Sequence, residues 1–156
     1  MLKKLILITF SFLAIGFSLN AQNETKITDP VSNPGWKNDA NEVFQRAEQN
    51  GSPILLNFTG SDWCIYCMKI KQEIFDTPEF KSWATENNIE LLELDFPKRK
   101  TQSDELVNQN KALAAEIGVQ GFPTIIIVAK GKVIKAGYVP GGPTNWINYV
   151  ESQIEF

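Results

Sequence analysis

The chain has 156 residues, 43% of them apolar, with 10 Gly and 8 Pro, which fits one globular domain and neither a disordered nor a fibrous chain. Its 15 basic and 18 acidic side chains leave a net charge of −3, which disfavours nucleic acid or anionic lipid as the main partner. Histidine is absent, which excludes Ser-His-Asp and Cys-His catalysis and any zinc site that needs imidazole, and leaves two cysteines to carry unusual chemistry.

Residues 1–21 are read as a cleaved signal peptide. Lys3 and Lys4 precede the apolar run Leu5 to Phe17, then Ser18-Leu19-Asn20-Ala21 and polar Gln22-Asn23-Glu24. The run is short against the roughly 20 residues that a bilayer core needs, and no second apolar stretch follows, so a permanent membrane anchor is the weaker reading. Leu19 is bulky where a small residue is usual, and no cysteine near the cleavage point offers a lipoprotein anchor. The expected location is periplasmic or secreted, where disulfides form.

Residues 22–35 are polar, with Pro30, Pro34 and Gly35, and read as an extended leader; packing is expected to begin at Trp36 and to continue through 36–156 as one domain. Ala40, Val43, Phe44 and Ala47 predict a helix over 39–50, stopped by Gly51. Pro53 to Phe58 reads as a strand covered on both faces. After a turn at 59–62, helical spacing runs from Cys64 to Phe75, and Pro78-Glu79-Phe80 opens a further helix. A strand at 89–96, a basic loop at 97–101 and a helix from Ser103 or Asp104 to Gly118 follow. Thr124 to Ala129 and Lys132 to Ala136 form a hairpin across Lys130-Gly131, and Thr144 is expected to cap a last helix. Strands alternating with helices and closing on a hairpin predict an α/β domain with a mixed sheet.

The concentrated chemical signal is Trp63-Cys64-Ile65-Tyr66-Cys67, just after a buried strand and at the opening of a helix. A thiol there meets unpaired backbone N–H groups and the positive end of the helix dipole, which favour thiolate, the attacking species. Cys64 is therefore placed as the nucleophile, while Cys67, one turn on and further from solvent, can attack the mixed disulfide and release the partner. Other readings stay open on these residues alone. A structural disulfide suits an exported chain, although so short a loop restricts the unfolded state little. A metal site would need more ligands than one Cys pair, and soft-metal delivery would have only Met68 nearby. Two packing cysteines would leave their position at a strand-to-helix junction unexplained.

In this strand-loop-helix setting, the cysteine motif together with Gly121-Phe122-Pro123-Thr124 resembles the thioredoxin superfamily, over residues 36–156. Phe58-Thr59-Gly60-Ser61-Asp62-Trp63-Cys64 and Thr77-Pro78-Glu79-Phe80 are similar to exported bacterial thioredoxin-like proteins, including the periplasmic C-terminal domain of DsbD. The resemblance implies a thioredoxin fold, a central mixed β-sheet flanked by α-helices on both faces. It also implies a cis bond at Pro123, facing the cysteine pair across a substrate groove, with Phe122 offering backbone groups to an extended substrate chain. Trp63 is expected beside the active thiol, with Ile65 and Tyr66 as substrate contacts. Tyr138, in the glycine-proline loop after the last strand, is read as groove wall or simple turn.

Two departures bear on mechanism. The family's buried aspartate falls on Asn57, whose amide cannot take a proton from Cys67, so water or another carboxylate must serve; Asp62 is read as a solvated turn residue. Ile65-Tyr66 matches neither Gly-Pro nor a His-containing oxidase pair, which favours a reductase or isomerase over a strong oxidant. Lys98-Arg99-Lys100 reads as a solvated loop in preference to a dock for an acidic partner. The expectation is an exported, monomeric thiol-disulfide oxidoreductase that uses neither cofactor nor metal. Its partners would be disulfide- or thiol-bearing proteins and an upstream thiol-disulfide electron donor. The rival is a non-catalytic binding module of the same fold with an inert disulfide.

Overall fold

A computed structural model describes residues 35–156. The segments expected to be a signal peptide (1–21) and an extended leader (22–35) lie, but for Gly35, outside the described residues. Helix α1 (Ala40–Asn50) starts where the Asp39 carboxylate accepts the Glu42 N–H, and stops at Gly51 in the left-handed region. Strand β1 (Ile54–Thr59) leads to α2 (Ile65–Ile70), which continues as a wider π-helical turn over Lys71–Phe75. Then come α3 (Pro78–Glu86), capped by Thr77, and β2 (Glu90–Asp95). Helix α4 (Asp104–Ile117) is capped by Ser103, and β3 (Thr124–Ala129), β4 (Lys132–Ala136) and α5 (Gly142–Glu151) complete the chain.

The sheet order is β2-β1-β3-β4, with β1 parallel to β2 and the other pairs antiparallel. Alternation along the strands divides the core in two. Leu55, Ile125, Ile127 and Ala136 point to one face, under α2, α3 and α5; Leu56, Phe58, Leu92, Leu94 and Ile126 point to the other, under α1 and α4. The expected mixed sheet with helices on both faces is what forms. Trp36 packs into the core, its ring stacked at 6.2 Å on Phe80. Beyond it, Lys37 runs along the outer edge of β2, taking the Leu91 carbonyl and giving its own to Glu93 N–H. On the opposite edge, β4 leaves Lys132, Val133 and Lys135 exposed.

Local differences from the sequence reading have physical causes. The helix after the cysteines does not stay α-helical. The Asp76 N–H reaches back to the Lys71 carbonyl at 2.9 Å, and the Lys71 ammonium grips the Asp76 carboxylate at 2.6 and 2.8 Å. Ile70, Ile74 and Phe75 are all buried along this wider turn. The last helix starts at Gly142, capped by Gly141 with φ 105°, so Thr144 lies inside it. Pro143 suits that first turn, and the Asn145 amide donates to the Pro140 carbonyl at 2.7 Å to fix the entry.

Trp146 of α5 is the keystone of the larger cluster. It is fully buried, meets Phe75, Phe80 and Trp83 at centroid distances of 5.8, 5.9 and 5.9 Å, and donates its indole N–H to the Gly137 carbonyl at 2.9 Å. Trp146→Ala should cost about 3–5 kcal/mol in a denaturant titration. Trp146→Phe, which loses the hydrogen bond and less volume, should cost clearly less in the same titration.

Candidate active site

The cysteine pair stands where β1 leaves the sheet. The Gly60 carbonyl accepts both the Trp63 N–H at 3.2 Å and the Cys64 N–H at 2.9 Å, which folds the connection into a tight corner. Cys64 then occupies the cap position of α2 with extended backbone, and its sulfur accepts the Cys67 N–H at 3.2 Å. In place of the usual hydroxyl or carboxylate, a sulfur satisfies one of the open donors of the helix start. Cys64 and Cys67 are joined in a disulfide with Cα atoms 5.2 Å apart. Between them Ile65 and Tyr66 stand out into solvent, 74% and 61% exposed, while both cysteines are buried, Cys64 at 7% and Cys67 at 2%.

Trp63 is fixed on every side. Its indole N–H donates to the Phe96 carbonyl at 2.8 Å, its ring meets Phe122 edge-on at 5.8 Å, and the Lys98 ammonium lies 4.1 Å from the ring centroid. Only glycine fits at position 60, because a β-carbon there would come within 2.5 Å of the Trp63 ring. The Phe122–Pro123 peptide bond is cis, and Phe122 also touches Phe96 at 5.1 Å. Tyr138, which follows β4 and packs on the same face of the sheet as α2, lies 6.5 Å from Tyr66. Its hydroxyl donates to Glu73 at 2.5 Å, and its ring lies 4.9 Å from the Lys69 ammonium. The Tyr138 hydroxyl and then the Glu73 carboxylate hold the Lys69 ammonium above the usual lysine range.

The residues singled out from sequence fall into two groups around the disulfide: Trp63 with Phe122 on one side, Tyr66 with Tyr138 on the other. Glu73 and Phe96 were missed, since neither side-chain type nor spacing marks a residue that merely anchors a neighbour. Asn57 is buried on β1, and its side-chain oxygen has no hydrogen-bond partner.

Asp62 does more than occupy a turn. Its carboxylate collects the backbone N–H groups of Lys98, Arg99 and Lys100 at 2.9, 2.7 and 3.2 Å. The basic loop is thus clamped beside Trp63. The Lys98 N–H, and after it those of Arg99 and Lys100, hold the Asp62 carboxyl below its usual value of 3.8. A lowered value means that the clamp is present at neutral pH and is lost only as pH falls through the folded value. The amide NMR signals of Lys98, Arg99 and Lys100 should therefore move together on acidification, with a common midpoint below pH 3.8. In Asp62→Asn, that acid-driven movement should vanish.

Comparison with known proteins agrees with this geometry. Residues 40–151 match the thioredoxin-like domain family. The disulfide bond reductase DsbH of Chlamydia pneumoniae is 35% identical over 132 residues, covering 82% of this chain and 78% of that protein. The thiol:disulfide interchange protein DsbD of Haemophilus influenzae is 28% identical over 126 residues, which cover 76% of this chain but 20% of that protein. Among solved structures, a DsbH oxidoreductase superposes with a TM-score of 0.70 at 33% identity, covering 84% of this chain and 92% of that one. The oxidised DsbD C-terminal domain of Neisseria meningitidis, at 19% identity and a TM-score of 0.55, shares the fold. A family match across nearly all of the described fold, joined to a relative identical at over a third of the aligned positions, makes this chain a member of the thioredoxin-like family.

Proposed function

We propose that this chain is an exported thiol-disulfide oxidoreductase that reduces or rearranges disulfides in other proteins. The observation that carries the reading is the Cys64 sulfur at the head of α2, accepting the Cys67 N–H, with Cys67 buried behind it. In the reduced protein, negative charge on Cys64 meets that same N–H and the positive end of the helix. Cys64 thiolate attacks a substrate disulfide, one substrate sulfur leaves as thiolate, and a mixed disulfide remains. Cys67 then attacks the Cys64 sulfur, the bond to substrate breaks, and the pair ends oxidised by two electrons while the substrate is reduced. An upstream thiol-disulfide donor restores the dithiol.

In this reading Phe122-Pro123 offers backbone groups to an extended substrate segment, and Trp63, Ile65, Tyr66 and Tyr138 form the apolar rim that it crosses. The exposure of Ile65 and Tyr66 supports this, since large apolar groups left in water mark contact surfaces. Reduction as the direction is supported by the absence of histidine beside Cys64 and by the reductase among the relatives. Export rests on the signal-like residues 1–21, which place the pair in a periplasmic or secreted setting. The protein acts as a monomer.

Cys67→Ser should accumulate mixed disulfides with natural partners through Cys64, and Cys64→Ser should accumulate none. Recovery of no adducts from cells expressing Cys67→Ser would count decisively against the mechanism. Equilibration of the parent protein with dithiothreitol buffers should give a potential near roughly −270 mV, and a value near roughly −120 mV would reverse the proposed direction.

A further inference from the structure

We infer that Lys98, held over the Trp63 ring beside the cysteine pair, selects substrate disulfides that are flanked by carboxylates. The inference rests on the reading of this chain as an oxidoreductase whose substrates cross the Trp63 and Phe122 rings on their way to Cys64.

Three contacts tie the basic loop to the two residues that precede Cys64. The Phe96 carbonyl accepts the Trp63 indole N–H at 2.8 Å, the Lys98 N–H donates to the Asp62 carboxylate at 2.9 Å, and the Lys98 ammonium lies 4.1 Å from the centroid of the Trp63 ring. Arg99 and Lys100 add their own N–H groups to Asp62 at 2.7 and 3.2 Å. With its successive amides turned to one carboxylate, the loop leaves the side chains of Lys98, Arg99 and Lys100 exposed. The place of Lys98 relative to Cys64 is thus set in the free protein, so little ordering entropy is lost when a partner meets it.

The three cations are not equally available. Lys100 donates to the Ser61 hydroxyl at 3.0 Å, and that hydroxyl donates in turn to the Asp95 carboxylate at 2.6 Å. The charge of Arg99 acts on Asp62. Among the described residues, Lys98 pairs with no carboxylate, and Asp104 and Glu105 in the first turn of α4 form no ion pair with any of the three. The indole face steadies the Lys98 ammonium but leaves its charge uncompensated, and its three N–H donors allow it to bond a carboxylate without leaving the ring. On the other side of the disulfide the corresponding cation, Lys69, already has Glu73 at 3.8 Å.

A substrate segment joined to Cys64 and lying along Phe122 passes over Trp63, so an Asp or Glu close to its cysteine meets Lys98. In a chain of net charge −3, the loop is a local reversal of sign beside the reacting sulfur. Such a charge attracts acidic segments during encounter and repels basic ones, which is discrimination rather than raw affinity.

The test uses the reduced protein and the symmetrical disulfides of short, end-blocked peptides whose cysteine is flanked on both sides by aspartates, by serines or by lysines. The rate of protein oxidation is read by acid quench and mass spectrometry. Dividing the aspartate rate by the serine rate for the same protein cancels any effect of a substitution on Cys64 itself. Dividing again by the ratio obtained with dithiothreitol removes the reactivity of the peptides. For the parent this corrected preference should be about threefold to fivefold at low ionic strength, and it should fall close to unity in about 1 M salt, where charges are screened within about 3 Å. Lys98 is exposed, so its replacement leaves the core undisturbed. Lys98→Gln should abolish the preference at low salt, and Lys98→Glu should turn it toward the lysine peptide. Arg99→Gln should keep most of it, because the Arg99 charge is already engaged by Asp62. Equal corrected rates for the aspartate and serine peptides with the parent overturn the inference. So does a preference that survives in Lys98→Gln, or one that Arg99→Gln removes as fully, which marks a property of the loop's overall charge. Failure of every peptide, serine included, to oxidise the protein through Cys64 overturns instead the reading of the cysteine pair.

Discussion

The corner between β1 and α2 is the constraint on which the site depends. One carbonyl, that of Gly60, accepts two successive N–H groups, and the turn so formed converts an extended strand into a helix within five residues. The corner needs a residue without a side chain, because the Trp63 ring occupies the space that a β-carbon would take. Trp63 in turn is seated on Phe96 and Phe122, so the same corner fixes the distance between the cysteine pair and the Phe122–Pro123 segment. Backbone, aromatic rings and the cysteine pair are thereby positioned by one turn.

Most of this was legible in the sequence because it follows from period and punctuation. The apolar run at 54–58, the β-branched stretch at 124–128 and the glycines at 51 and 118 each announce an element without help from distant residues. The cysteine motif declared itself by its place between a strand and a helix. What was not legible depends on particular hydrogen bonds that neither period nor punctuation marks. The π turn at 71–75 goes with the Asp76 N–H on the Lys71 carbonyl, and the first turn of α5 with the Asn145 amide on the Pro140 carbonyl. Asp62 looked like an ordinary turn acid, since nothing local reveals that a loop 36 residues later will fold its amides onto it.

The two cysteines are chemically alike and made unequal by their surroundings. Cys64 sits at the mouth of the helix with exposed neighbours, whereas Cys67 faces the interior. An attacking sulfur benefits from donors that welcome charge, while an interior one must shed its proton in a place that resists charge. On the solvent side, Asp62 is tied up in holding the basic loop beside Trp63.

A sheet with unpaired edges invites pairing with other strands. Here the outer edge of β2 is occupied by the chain's own Lys37, whose backbone pairs on both sides of Leu92. The outer edge of β4 is short and carries Lys132 and Lys135, whose charges oppose the approach of another strand. With both borders closed, strand-like pairing with a foreign segment is steered away from the sheet edges, which guards this fold against self-association in the company of unfolded chains.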